Sequence, residues 1–209
     1  MTTTITEDAL LKRRRVRAVL AGGLVLGVGA AVTLAAWNDS EFATGAFASG
    51  HFDLRGSTDG TTFADHSAAA TAATLGFTVN PTNLSPTDVV YAPFAVALDE
   101  GTTYDADVTL SLSSVTGDLN AVTYEVLRSE DFGCDGSTSG ESLVPAGTPL
   151  DAELGDVGFT LARPSGTGTG TGPDTHLSPV NLCFKVTAGQ ISQGATGTAG
   201  WEFAAGSLP

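Results

Sequence analysis

Period-two alternation constrains this chain more than any other feature in it. In DVVYAPFAVAL, the residues Val90, Ala92, Phe94, Val96 and Leu98 fall on one side of an extended backbone. In DADVTLSL, Ala106, Val108, Leu110 and Leu112 do the same and leave Asp105, Asp107, Thr109 and Ser111 to water. VTYEV repeats the pattern with Val122, Tyr124 and Val126, VGFTL with Val157, Phe159 and Leu161, and VNLCFKV with Val180, Leu182, Phe184 and Val186. Together with GHFDL, ATLGFTV and the terminal AGWEFA these make about eight short strands, separated by clusters of Gly, Pro, Asp, Asn and Thr. Strands that are apolar on one side need that side covered, so the expected fold is all-β, a jelly-roll-like antiparallel β-sandwich. Beyond the N-terminal region no segment carries the period of a long amphipathic helix, so helix is expected in the N-terminal segment.

The charge is unevenly spread. Five of the nine basic residues (Lys12, Arg13, Arg14, Arg15, Arg17) lie in the first 17 positions, and beyond them four basic residues stand against 21 acidic ones. Binding to nucleic acid or anionic lipid needs clustered Lys and Arg to displace counterions, so the acidic domain is expected to bind neither. A chain this acidic can be disordered, but 42 % hydrophobic residues set in alternating patterns specify a packed core. After the basic cluster, residues 18–36 carry no charge and end in TLAAWND. A basic region, an apolar run and small residues before a cut mark a signal peptide, with Thr33 and Ala35 at the small-residue positions and cleavage between Ala35 and Ala36. An uncleaved anchor is the alternative, since about 20 apolar residues span a bilayer. On both readings the basic cluster stays in the cytoplasm and the domain lies outside, secreted or at the cell surface, with membrane contact only through an uncleaved signal segment. The expected organisation is therefore a signal peptide over residues 1–35, a leader over 36–45 and a β-sandwich over 46–209.

Export decides how the two cysteines read. Cys134 and Cys183 are the only pair, and outside the cytoplasm they are expected to form a disulfide. Closing a loop of this length stabilises a fold by about 4 kcal/mol in the chain-entropy model. Cys183 alternates with the apolar face of its strand, beside Asn181 and Lys185, whereas Cys134 sits in the loop-like EDFGCDGSTSG. The bond therefore reads as a staple that ties a long excursion to the outer face of a strand, and its reduction is expected to loosen residues 129–150 more than the sandwich.

No catalytic constellation emerges. His51, His66 and His176 are scattered without HExxH spacing, GxSxG is absent, and neither a metal site nor a cofactor is expected. Paired carboxylates such as Asp99 and Glu100, Asp105 and Asp107, or Asp151 and Glu153 have the chemistry for calcium, but without a binding-loop repeat they read as a solvated acidic face. PSGTGTGTGPD, residues 164–174, has no apolar side chain to offset its ordering entropy and reads as a loop. HSAAATAATLGF, residues 66–77, reads either as a helical turn at its start or as a surface crossing.

The residues around the expected cut resemble a known export system. TLAAWND followed by SEFATGAFASGHFDL is similar to the maturation region of the TasA/camelysin family, with its small-x-Ala-Ala-aromatic-Asn-Asp junction and a Phe-x-Ser-Gly-x-apolar-Asp-Leu strand. Phe47, Ser49, Gly50, Phe52, Asp53 and Leu54 occupy that second pattern, and NLSPTDVVYAPFAV resembles the family's Asn-Leu-x-Pro-x-Asp turn with the strand after it. These motifs cover about 35 residues; this chain departs from the best-known members in its cysteine pair and its low lysine content. The resemblance implies processing by a signal peptidase of the SipW type, a jelly-roll fold and, for members that build matrix fibres, self-assembly by donor-strand complementation. Trp37, Phe42, Phe47 and Phe52 recur every five residues, and Trp37 and Phe42 are the candidate donor anchors. Three functions follow as expectations: a non-enzymatic fibre subunit, a monomeric secreted binding or adhesion module, and a camelysin-like metalloprotease.

Overall fold

The computed structural model describes residues 4–33, 41–46, 49–78, 81–165 and 177–208. Its contacts divide the chain into two units, Met1–Phe47 and Ala48–Pro209. The first holds one helix, α1 (Thr4–Thr33), which carries the basic cluster, as expected of the N-terminal segment. Among the described residues no helix is long and apolar enough to cross a membrane. Ala35, Ala36, Trp37, Phe47, His176 and most of the Gly/Thr-rich stretch lie outside the described residues.

The second unit is the expected antiparallel sandwich. Its strands are β1 (Leu54–Ser57), β2 (Val89–Leu98), β3 (Asp105–Gly117), β4 (Val122–Ser129), β5 (Glu141–Pro149), β6 (Val157–Leu161), β7 (Val180–Ala188) and β8 (Gly197–Leu208). One sheet has five strands in the order β1-β2-β7-β4-β5, the other three in the order β6-β3-β8. The alternating apolar positions face inward: Val90, Ala92, Leu98, Val108, Leu110, Tyr124, Val126, Leu161, Leu182 and Phe184 are all buried in one core. Ring contacts join the sheets, with Phe94 5.6 Å from Phe203 and Phe184 4.9 Å from Trp201 between centroids.

Three local expectations need correction. GHFDL is not a strand: β1 begins only at Leu54, which pairs with Leu98, the last residue of β2. Past Leu98 the chain turns, with Thr102 N donating to Asp99 O, so residues 49–53 have no ladder to join beyond a single bridge between His51 and Thr102. Of ATLGFTV, the described residues 73–78 belong to neither sheet, and the turn before them is a short 3₁₀ segment, Ala69–Thr71. Conversely, ESLVPAGTP forms β5, inside the stretch expected to be a loose excursion.

Proline explains one boundary. Pro93 sits within β2, where a missing N–H is tolerated only on an unpaired edge. The ladder with β1 ends at Ser57 and Ala95, so Pro93 lies just beyond it on the free side. The NLSPTD motif is a tight turn: Ser85 N donates to Asp88 Oδ2 at 2.8 Å, Thr87 takes a φ of 78°, and Thr87 N donates to Ala188 O.

Candidate functional site: a groove beside the last strand

Three strands cannot cover five. At a spacing of about 4.8 Å per strand, the smaller sheet leaves part of the inner face of the larger one without a partner strand. The uncovered part lies beside β8 and forms a cavity of about 810 Å³, lined by Trp201 and Phe203 of β8, Phe94 and Val96 of β2, and Phe184 and Val186 of β7. Phe52, Leu54 and Gly56 border it, and Leu75 and Phe77 lie across it from the segment before β2. Gly56 is needed for this fit, since a Cβ there would come within 2.6 Å of the Phe94 ring.

The free edge of β8 is of a kind that soluble proteins usually block. Edge strands avoid pairing with other chains by being short, carrying Pro or Lys, or bulging. β1 and β6 have four and five residues. β5 contains Pro145 and Pro149 and shifts register against β4. β8 has 12 residues, neither Pro nor a basic side chain, and Glu202 as its single charge. Among the described residues it pairs with β3 alone.

Polar groups inside this half of the sandwich are unsatisfied. Among the described residues, the buried side-chain atoms without a hydrogen-bond partner are His66 Nδ1, Tyr124 Oη and Trp201 Nε1, and both His66 and Trp201 line the groove. Native interiors leave few such groups unpaired. Tyr124 lies 5.7 Å from Trp201 between ring centroids. Burial pushes the Tyr124 phenol above its ordinary value.

Of the residues expected to matter, Phe42 is 90 % exposed in a segment without regular structure, and Ser49 and Gly50 are also exposed. Phe52 borders the groove, Leu54 opens β1, and Asp53 takes part in an ion cluster that sequence reasoning missed. His51, Asp53 and Asp99 bring one ligand atom each to within 4.8 Å of one another. Arg55 already supplies a cation there, with Nε 3.2 Å from Asp53 Oδ2 and Nη2 3.0 Å from Asp99 Oδ1, while His51 Nε2 lies 3.3 Å from Asp99 Oδ2. The cluster fastens the chain before β1 to the turn after β2. HFDLR places His51, Asp53 and Arg55 at period two, which is the part of this signal visible in sequence; Asp99 arrives only through the pairing of β1 with β2.

The disulfide joins Cys134 to Cys183, with Cα atoms 5.0 Å apart. Cys183 is fully buried, although it faces away from the main core, because a second small cluster of Phe63, Ala95 and Ala97 with Phe132 and Leu177 covers the outer face of the larger sheet. Gly60 permits this closure: its φ is +74°, and a Cβ would collide with the Phe132 ring at 2.5 Å. Two aspartates organise the covering loops. Backbone N–H groups of Thr62 and Thr61 and the Ser57 hydroxyl hold the Asp59 carboxyl well below its ordinary value. Asp135 is lowered likewise, chiefly by the Ser137 hydroxyl and amide.

Comparison of the chain with protein-family models and with curated proteins found no match.

Proposed function

We infer that this is an exported, non-enzymatic cell-surface or extracellular-matrix protein of the TasA/camelysin kind, whose β8 groove accepts a strand from a second copy. The donor in this reading is the leader, residues 36–45, freed when a SipW-type peptidase cuts between Ala35 and Ala36. The observation that carries it is the long unblocked edge of β8 bordering an apolar groove. An incoming strand gains main-chain hydrogen bonds from such an edge and register from side chains that enter pockets between the sheets. Trp37 and Phe42 supply those side chains, and Phe42 is exposed and unengaged. Release by the peptidase then couples leaving the membrane to polymerisation.

The test is removal of residues 36–45 from the processed protein. Loss of filaments by electron microscopy and sedimentation, with an unchanged circular dichroism spectrum, is the expected result. Filaments that persist without the leader would sink the reading. The monomeric binding module remains the second reading, because the groove is covered by the chain's own residues 72–78; a processed protein that stays monomeric at every concentration would favour it.

A further inference from the structure

The segment Ala72–Thr78 has the side-chain pattern of a strand and almost none of its bonding. Ala73, Leu75 and Phe77 are half-buried and packed on the main core, while Ala72, Thr74, Gly76 and Thr78 are exposed. Among the described residues its backbone bond to a strand is the one from Thr78 N to Tyr91 O, 2.9 Å, on the free edge of β2. Two residues further along β2, Pro93 presents no N–H to that edge, so no regular ladder can continue there. The segment is therefore held by the burial of three side chains and not by a sheet.

Those side chains share the cavity with Trp201 and Phe203. A strand that added to β8 and turned alternate residues inward would need the space that Leu75 and Phe77 fill. Segments with few backbone hydrogen bonds and partly exposed side chains open at far lower free energy than sheet strands. We propose that Ala72–Thr78 is a displaceable strap, which plugs the β8 groove in the free subunit and leaves it when a donor strand enters. The proposal rests on the strand-accepting reading above and adds the regulation of that site: the strap shields an edge that would otherwise pair at random, and it sets the rate of assembly.

The experiment uses the full-length chain, whose leader is not free, and a fluorescently labelled peptide with the sequence AWNDSEFATG, followed by anisotropy. If the strap must leave first, the wild-type binding rate levels off at high peptide concentration. L75S/F77S, which weakens the plug, then binds about tenfold faster, and the milder Leu75→Ala shifts the rate in the same direction. Hydrogen exchange on the wild-type complex gives a reading independent of any variant: amides of β8 gain protection while the Thr78 amide, bonded to Tyr91 O in the free subunit, loses it. Equal rates in all three proteins, or slower binding by the variants, would overturn the strap and leave the groove as acceptor. Absence of binding to every protein, with no change in exchange at β8, would overturn the acceptor reading and the strap with it.

Discussion

The five-stranded sheet is covered on its two faces by chain segments outside its strands, and the coverings are built differently. On the outer face the stretch around Cys134 is pinned by the disulfide, by Lys185 Nζ donating to Thr138 O at 2.6 Å and by Asn181 Nδ2 donating to Glu130 O at 3.0 Å. Beneath it Phe63, Ala95 and Ala97 are buried. On the inner face, beside β8, residues 72–78 rely on Ala73, Leu75 and Phe77 and, among the described residues, on one backbone bond to a strand. Apolar burial alone is non-directional and can be exchanged for another apolar strand; covalent and polar pins tie one particular segment in place. A permanent cover and an exchangeable one thus lie on opposite sides of one sheet.

Truncating one anchor of each cover tests this difference most strongly. Phe63→Ala removes a buried ring from the pinned side and is expected to lower global stability by about 3 kcal/mol, read from urea denaturation. Phe77→Ala removes a half-buried ring and is expected to cost about 1 kcal/mol globally, with the loss appearing as faster hydrogen exchange of the Thr78 amide that bonds Tyr91 O. Equal global losses would mean that the segment at 72–78 is as integral as the pinned loop.

The staple has an effect of similar size. Replacing both Cys134 and Cys183 with alanine is expected to cost about 2–4 kcal/mol. Exchange should rise in residues 130–140 and not in β5, because residues 141–149 are paired with β4, which narrows the stretch expected from sequence. A comparable rise at the Thr78 amide would show that the two covers are coupled.

Alternation in the sequence reported which side of a segment faces the core, and for β2, β3, β4, β6 and β7 that was sufficient to locate a strand. It said nothing of whether the backbone is paired. Residues 73–77 alternate as faithfully as β6 yet join no sheet, because the β2 edge they run beside carries Pro93. The strand β5 was illegible for the opposite reason: it is paired, but Val144 is its one buried residue, and Pro145, Pro149 and Gly147 at φ +81° break the pattern. The groove was beyond reach because its walls come from β1, β2, β7 and β8, and only the sheet order leaves β8 as a free edge. The cysteine pairing was legible, being the only one possible; the small cluster it seals was not, since Ala95 and Ala97 lie on the face opposite the alternating core residues.

Acid should distinguish the covers by the smallest effect. Hydrogen bonds from Ser137 and Thr138 favour the ionised Asp135 carboxyl in the fold and lower it from the ordinary 3.8. A carboxyl lowered by folding contributes its full stabilisation above the unfolded value and loses it as the pH falls through that value to the folded one. Because the side chain is fully exposed, solvent screens most of the effect. The rate at which a phosphine reductant cleaves the disulfide, corrected for the reagent's own pH dependence, should therefore rise modestly as the pH drops from about 5 to about 2. In Asp135→Asn the acceptor oxygen for Ser137 remains but the charge does not, so that rise should flatten. Residues 72–78 contain no ionisable side chain, and exchange of the Thr78 amide, corrected for its intrinsic pH dependence, should be less sensitive over the same range. A groove that opens in acid as readily as the pinned loop would remove the distinction between a cover held by polar groups and one held by burial.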